Sequence, residues 1–224
     1  MPSPNPAPSS PGSGDHPDPV IVFDHPLIQH KLPQLRTKGL GHRGFRALLA
    51  EIAGLMVFEF SRGFPTVDVE VETPMERTAG VRLRGAITLV PVLRAGLAMT
   101  EGILAVMPEA RVGHLGLARD EETLEPVAYL NKLPSDLNAG PVVLVDPMLA
   151  TGGSAVAAID MLRKAGAEDL RMICLVAAPE GVERLRRECP GLQIYAAAVD
   201  RMLNEKGYIL PGLGDAGDRM YGTT

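Results

Sequence analysis

The chain has 224 residues, a formal net charge of −5, 46% hydrophobic residues and no tryptophan. This length provides one large domain or two small ones, with ample chain for a core. The negative charge disfavours a general nucleic-acid binder, and an aromatic content of 4% disfavours a broad base-stacking platform. No segment approaches the roughly 20 apolar residues that span a bilayer, and the N-terminus lacks a secretory pattern. We therefore expect a cytoplasmic protein that binds neither nucleic acid nor membrane.

The sequence divides into a short N-terminal segment and one long segment. Residues 1–19 contain seven prolines among small polar residues, which predicts a disordered tail whose removal leaves activity unchanged. Residues 20–224 are expected to form a single domain. The cysteines, Cys174 and Cys189, do not stand in a metal-ligand spacing, so the sequence does not indicate a zinc site.

The first third of the domain mixes clear and weak patterns. Val20–Phe23 reads as a short strand, followed by a polar connection through Gly41. Apolar residues at helical spacing predict a packing helix from Arg43 to Arg62. Val67–Val71 alternates between polar and apolar residues, which is typical of a peripheral strand, and the segment 72–85 is the least informative.

A buried strand is predicted at Ala86–Val90, followed by Pro91-Val-Leu-Arg-Ala-Gly96 and a helix over Leu97–Met107. Arg94 therefore stands just past the end of a strand. In open α/β sheets ligands bind outside those ends, and an arginine there can direct two donors onto a pyrophosphate. The alternative is a solvated surface charge, which is the usual role of a single arginine.

Two extended runs, Val112–Ala118 and Val127–Leu133, flank a charged stretch and predict a long hairpin. A mobile charged tip could close over a substrate and exclude water. Arg119 lies at the base of this hairpin and would bring positive charge to the site.

The most informative segment begins at Val142–Val145, which predicts a strand buried on both faces, with Asp146 at its end. A loop with two adjacent glycines leads to Ser154, which we expect to cap an amphipathic helix that Gly166 ends. Glycines let backbone N–H groups approach an anion, and the helix N-terminus adds partial positive charge. The segment predicts a phosphate cradle, although it lacks a Walker lysine and a G-x-G-x-x-G spacing. An ordinary strand-to-helix turn is the alternative.

After this helix, a buried strand is predicted at Arg171–Ala177, a helix beginning at Pro179, and a last strand at Gln193–Val199. The repeating order of strand and helix predicts a mostly parallel sheet with helices on both faces. The segment 204–222 loses periodicity and is rich in glycine. We also expect two i,i+4 ion pairs, Glu180 with Arg184 and Glu183 with Arg187.

Three of these segments together resemble one known family. Asp146–Ser154 resembles the phosphoribosyl pyrophosphate (PRPP) motif of phosphoribosyltransferases, in the form found in the uracil phosphoribosyltransferase family. Pro91–Gly96 resembles the pyrophosphate loop of that family, and Gly207–Arg219 resembles its uracil-binding loop. Most phosphoribosyltransferases carry two adjacent acids at the strand end, whereas Pro147 replaces the second here, as in the uracil enzymes. The resemblance spans roughly Val20–Thr224.

This resemblance implies the type I phosphoribosyltransferase fold, an α/β fold with a mostly parallel central sheet, helices on both faces and a β-hairpin lid. It implies transfer of the phosphoribosyl group from PRPP to N1 of uracil, giving UMP and pyrophosphate, with Mg²⁺ as cofactor. It further implies a homo-oligomer, a dimer or larger, and GTP as a candidate activator.

The resemblance also assigns roles to individual residues. Asp146 and Asp215 are the implied catalytic residues, and Asp215 is the implied metal-side residue, with Mg²⁺ held mainly through PRPP. No residue is assigned as general base. The implied PRPP-binding residues are Arg94, Arg119, Asp146, Pro147, Met148, Leu149, Ala150, Thr151, Gly152, Gly153, Ser154 and Asp215, and the implied uracil-binding residues are Ile209, Gly214, Asp215 and Ala216.

Two rival functions stay open at this point. One is a pyrimidine-operon attenuator, an RNA-binding regulator on the same fold, which should keep paired acids and show a basic face. Pro147 and the net charge of −5 count against it. The other is a purine phosphoribosyltransferase, which should lack the uracil loop.

Overall fold

The structure is a computed structural model that describes residues 20–119 and 126–223. The proline-rich segment 1–19, the segment 120–125 predicted as the hairpin tip, and Thr224 lie outside the described residues, so the predictions for the tail and the tip stay predictions.

The described residues form six α-helices, thirteen strands and one 3₁₀ helix. The helices are α1 (Pro26–Arg36), α2 (His42–Phe60), α3 (Gly96–Val106), α4 (Gly153–Lys164), α5 (Pro179–Glu188) and α6 (Ala216–Tyr221), with the 3₁₀ helix at Leu137–Ala139. The strands are β1 (Val20–Val22), β2 (Thr66–Glu72), β3 (Arg77–Leu83), β4 (Thr88–Leu93), β5 (Arg111–Val112), β6 (His114–Arg119), β7 (Pro126–Lys132), β8 (Val142–Val145), β9 (Met148–Leu149), β10 (Leu170–Ala177), β11 (Gln193–Val199), β12 (Met202–Leu203) and β13 (Ile209–Leu210).

The main sheet confirms the predicted architecture. Its strands run in the order β1-β11-β10-β8-β4-β6-β7, with β5 paired to β4 and β9 to β10. Every pairing is parallel except that of β6 with β7, which form the predicted antiparallel hairpin. In register, Val145 of β8 lies beside Pro91 of β4 and Ile173 of β10. The carboxyl ends of these strands therefore meet at one edge of the sheet.

Helices cover both faces of this sheet. One apolar cluster joins Val143 and Val145 to buried residues of α1, α2, α3 and α6. The other joins Val142 and Leu144 to α4 and α5. The alternation along β8 explains its unbroken apolar sequence, because each face of the strand needs a nonpolar neighbour. Among the helices of the described ranges, none is long and apolar enough to cross a membrane.

Helix α1 corrects the prediction of a polar connection through Gly41. Two prolines obscured the helix in the sequence, although Pro26 occupies its first turn, where no amide partner is lost. Pro33 lies inside the helix and reads as a break in sequence. The buried residues of α1 recur at helical spacing: Ile28, Leu32 and Leu35.

Strand β3 lies in the segment 72–85, for which the sequence predicted nothing. It pairs antiparallel with β2 as a separate two-stranded sheet, in which Thr66 lies opposite Leu83. Most residues of both strands are exposed or only half-buried. Without a buried face, β3 has no apolar alternation that could reveal it.

Candidate active site

The candidate site lies at the carboxyl edge of the sheet, where β4 and β8 end side by side. Asp146 directly follows β8, and its amide donates to the Ile173 carbonyl at 3.2 Å. Arg94 directly follows β4. Strand β6 continues beyond the pairing of Gly116 with Leu93, so its last residue lies farther along at the same edge. That residue is Arg119, whose side chain is outside the described part of the chain.

The carboxyl of Asp146 is the most perturbed acid of the site. Burial raises its pKa to about 7, and the hydrogen bond from the Met148 amide, 3.2 Å long, acts in the opposite direction. The negative charge of Asp146 also contributes to a raised pKa of the buried Cys174 thiol, after burial itself. Because one backbone donor does not offset desolvation, the ionised carboxylate has capacity for further hydrogen-bond donors.

We call residues 146–154 the phosphate loop. Its β9 pairs with β10, which places Met148 beside Val176, and the Leu149 carbonyl accepts from the Ala178 amide at 2.8 Å. A Cβ on Gly181 of α5 would collide with the Ala150 carbonyl oxygen, so the loop lies directly on that helix. The loop is thus anchored to the core by its own backbone.

The prediction that Ser154 caps the helix is wrong. The N-cap of α4 is Gly152, in the left-handed conformation with φ 79° and ψ −5°, and Ser154 is the second residue of the helix. A glycine suits this φ, because an L side chain would strain it. Because glycine has no side chain, no side-chain hydrogen bond caps the first turn of α4 in the described chain. The amides of the first turn are therefore not bound by a cap side chain, as an anion site requires.

Sequence reasoning missed Arg184. A Cβ on Gly153 would lie 3.2 Å from its Nη1, so the guanidinium adjoins the phosphate loop. The predicted i,i+4 pairing with Glu180 is wrong: Arg184 Nε lies 3.3 Å from Glu188, while Glu180 accepts from the Leu203 amide at 2.9 Å. Both glutamates are one helical turn from Arg184, but Glu180 is occupied by the amide of Leu203, a residue 23 positions away whose proximity the sequence does not reveal.

The other predicted pair, between Glu183 and Arg187, is also replaced. Glu183 lies 4.0 Å from Arg186, and Arg187 donates to Glu188 at 2.7 Å. Both contacts are exposed, where such pairs contribute little to stability.

The C-terminal loop, residues 209–216, reaches the same edge from the end of the chain. The loop begins with β13 of the antiparallel ribbon that β12 and β13 form, and a Cβ on Gly207, in the turn of that ribbon, would lie 3.8 Å from Thr151 Cγ2. Asp215 caps α6 by accepting from the Asp218 amide at 2.9 Å. Arg94 Nη2 lies 3.5 Å from Asp218 Oδ1. The structure thus brings all three motif segments together.

The C-terminal loop presents main chain rather than side chains to this edge. The side chains of Ile209 and Ala216 are each 3% exposed and belong to the core. Gly214 is exposed and has φ 78°. A ligand beside these residues would therefore meet backbone N–H and C=O groups, which suit a flat molecule with alternating donors and acceptors.

Among the residues that the structure describes, no group of three or more His, Cys, Asp or Glu side chains is arranged to hold a metal ion. Asp218 contacts Arg94, and a Cβ on Gly217 would lie 3.3 Å from Asp215 Oδ1 and 3.6 Å from Arg94 Nη2, so both acids adjoin this arginine. This set fits a divalent ion held mostly by ligand oxygens, because Mg²⁺ commonly keeps one or two carboxylates besides phosphate and water.

Comparison with known proteins identifies relatives over nearly the whole chain. A family model described as uracil phosphoribosyltransferase matches residues 22–223. A uracil phosphoribosyltransferase of Dictyoglomus thermophilum is 55% identical over 205 residues, covering 91% of this chain and 99% of the relative. That of Bacillus velezensis is 56% identical, covering 91% and 98%.

A solved structure agrees with this similarity. The AQ2163 protein from Aquifex aeolicus is 39% identical and superposes with a TM-score of 0.87. The match covers 92% of this chain and 99% of that protein.

Proposed function

Because the chain belongs to the uracil phosphoribosyltransferase family, we infer that it transfers the phosphoribosyl group from PRPP to N1 of uracil, giving UMP and pyrophosphate. The observation that carries the inference is the meeting of three sequence-distant segments, at Arg94, the phosphate loop and the C-terminal loop. A transferase of this kind must hold a sugar diphosphate and a base in one site, and much of its rate then comes from their orientation.

The phosphate loop would hold the 5′-phosphate of PRPP. The amides of Thr151–Ser154 lie around the start of α4, where the positive end of the helix dipole favours an anion. The guanidinium of Arg184 adds charge beside the loop. Pro147, Met148, Leu149 and Ala150 lie between Asp146 and these amides, so their implied roles are those of spacing and backbone contact.

Asp146 would accept hydrogen bonds from the ribose hydroxyls. Asp146 is half-buried, and desolvation destabilises its carboxylate in the free protein, so two hydroxyl donors would replace the water that it lost. C1 of the ribose becomes oxocarbenium-like during transfer, as in glycoside chemistry. A carboxylate held on the diol orients the ring for this change.

Arg94 and Arg119 would bind the leaving pyrophosphate. Arg94 is exposed and makes a 3.5 Å contact with Asp218, a weak pairing that a stronger anion can displace. A guanidinium can direct two parallel N–H donors onto phosphate oxygens. Positive charge at this point stabilises the charge that develops on the departing group.

Asp215, with Asp218 beside it, would contact Mg²⁺ that PRPP carries into the site. The bound ion would neutralise part of the pyrophosphate charge during transfer. Asp215 would lie between the two substrates. It belongs to the C-terminal loop, and a Cβ on Gly217 would lie 3.3 Å from Asp215 Oδ1 and 3.6 Å from Arg94 Nη2.

The C-terminal loop would read uracil through its backbone at Ile209, Gly214 and Ala216. Amide N–H groups match O2 and O4 of uracil, and a carbonyl matches N3–H. Cytosine places a donor where the loop also offers a donor, which leaves buried polar groups unpaired. Such a site can reject the wrong base by about 10⁴-fold.

Three further properties are proposals based on the family resemblance: a homo-oligomer, activation by GTP, and a location in the cytoplasm. Sedimentation of the protein alone, and turnover with and without GTP, would test the first two.

The function is tested by incubating the full chain with PRPP, Mg²⁺ and one base at a time. We expect UMP from uracil, and no nucleotide from cytosine, hypoxanthine or guanine. Equal turnover of hypoxanthine would exclude a uracil-specific site. Omitting Mg²⁺ and adding a chelator should abolish turnover, and undiminished turnover would refute the metal requirement.

A further inference from the structure

We propose that Arg36 and Asp200 are positioning residues that set the affinity and selectivity for uracil without contacting either substrate. They form an ion pair in which Arg36 Nη1 and Nη2 each lie 2.7 Å from a different oxygen of Asp200. The side chains are 20% and 5% exposed. This inference rests on the proposed assignment of the C-terminal loop to the base.

The pair binds both polar backbone groups of one residue in that loop. Asp200 Oδ2 accepts from the Gly212 amide at 2.9 Å, and Arg36 Nη1 donates to the Gly212 carbonyl at 2.7 Å. Gly212 has φ 60°, and a Cβ on it would collide with the Ile209 carbonyl. By holding Gly212 at both polar backbone groups, the ion pair fixes the turn that joins Ile209 to Gly214.

A second arginine holds the adjacent carbonyl. Arg219 Nη1 donates to the Leu213 carbonyl at 2.7 Å, and its Nη2 donates to the Thr37 carbonyl at 2.8 Å. The guanidinium also lies 4.4 Å from the centre of the Phe45 ring. Arg36 is the last residue of α1 and Thr37 follows it. The end of α1 therefore determines where two consecutive carbonyls of the C-terminal loop lie.

Asp200 itself is fixed by the sheet. It directly follows β11, and its amide donates to the Ala177 carbonyl at the end of β10, at 2.8 Å. Its place resembles that of Asp146 after β8, but its carboxylate is already occupied by protein donors. One strand-end acid thus stays available for substrate, while the other orients a loop.

The test measures KM for each substrate in Arg36→Lys and Asp200→Asn. Lysine keeps the charge but cannot reach both carboxylate oxygens and the Gly212 carbonyl. We expect KM for uracil to rise by about tenfold or more, because the loss of one or two hydrogen bonds between the loop and the base accounts for such a change. KM for PRPP should stay within about twofold, because the phosphate loop is anchored separately and Asp215 is held as the N-cap of α6. The preference for uracil over cytosine should fall as well. Parallel rises in both KM values, or a change in kcat alone, would overturn the proposal.

Arg171 and Asp169 provide a matched control. Arg171 Nε lies 3.0 Å from Asp169 Oδ1, and Arg171 Nη1 donates to the Phe60 carbonyl at 2.9 Å. This pair lies at the other end of β10, away from the site. Arg171→Lys and Asp169→Asn should lower Tm while leaving both KM values unchanged. An equal rise of the uracil KM in these variants would mean that loss of stability alone accounts for the effect.

A second readout is independent of catalysis. Hydrogen exchange of the Gly212 amide should be faster in Arg36→Lys than in the wild type, and unchanged in Arg171→Lys. An unchanged Gly212 exchange rate would refute the role of Arg36 and Asp200 in holding the loop, whatever base the enzyme uses. If the wild type fails to convert uracil but Gly212 exchange still responds, the proposed function fails, and with it the role of the pair in uracil binding, while the hold of Arg36 and Asp200 on the loop is confirmed. Asparagine has the same shape as aspartate, so Asp200→Asn provides the same measurement if Arg36→Lys does not fold.

Discussion

The phosphate loop and the C-terminal loop lie at the same edge of the sheet but are held there by different means. Backbone contacts hold the phosphate loop, since the Pro147 carbonyl accepts from the Leu175 and Val176 amides at 3.1 Å. Side chains from distant elements hold the C-terminal loop, through Arg36 and Asp200. A backbone-held loop tolerates change in surrounding side chains, whereas a side-chain-held loop depends on a few of them. The predictions below test this difference.

The largest expected effect is at Asp146, where the phosphate loop begins. Asp146→Asn keeps the shape of the side chain but loses charge-assisted bonds to the ribose hydroxyls. We expect kcat/KM for PRPP to fall by about 100-fold, as loss of such bonds typically costs 1.5–3 kcal/mol. Asp160→Asn, at an exposed position of α4, is the control and should have no effect. An unchanged kcat/KM in Asp146→Asn would remove Asp146 from the site.

The next effect tests the backbone contact behind the phosphate loop. In Gly181→Ala the new methyl group would collide with the Ala150 carbonyl and displace the loop from α5. We expect KM for PRPP to rise at least about tenfold, because small misplacements of binding groups are costly, with KM for uracil nearly unchanged. Gly41→Ala, where added bulk meets open space, should leave both values unchanged. If the uracil KM rose equally, the two loops would not be independently held.

The substitution that lowers activity at Asp146 should raise the free energy of unfolding. Its pKa is raised to about 7 in the fold, against about 3.9 in the unfolded chain, so the folded state binds the extra proton between these values. Unfolding free energy therefore declines as pH rises from about 4 to 7, and the penalty is complete above pH 7. The full shift corresponds to at most about 4 kcal/mol, and partial exposure reduces this to about 1–2 kcal/mol.

Asp146→Asn should consequently be more stable than the wild type at pH 8, and the gain should vanish near pH 4. Denaturant unfolding without substrate at both pH values measures this difference. A variant less stable than the wild type at pH 8 would show that the carboxylate contributes to the fold rather than strains it.

The smallest expected effect concerns Arg184. Arg184→Gln removes a charge beside the phosphate loop and leaves the backbone anchors in place, so KM for PRPP should rise only about threefold. Higher salt should reduce the difference, because partly exposed charges are screened. Arg186→Gln, on an exposed face of the same helix, is the control. An effect as large as that of Gly181→Ala would show that side-chain charge, rather than backbone, dominates this loop too.

Much of the fold followed from local patterns. The runs at Val142–Val145 and Gln193–Val199 were predicted with the observed bounds, because strands buried on both faces need continuous apolar residues. The helix starting at Pro179 was recognised from its first turn. Helix α1 and strand β3 were missed, the first because prolines resembled breaks and the second because neither of its faces is buried.

The sequence by itself determined the phosphate loop, since a buried strand, a terminal acid and a glycine turn are contiguous. It also indicated, by resemblance, which segments carry the three parts of the site. Only the tertiary structure decided how the C-terminal loop is held, because Arg36 and Asp200 are 164 positions apart and neither stands in a pattern that names its partner. Main-chain geometry is encoded locally, whereas a contact between a side chain and a distant backbone exists only once the chain has folded.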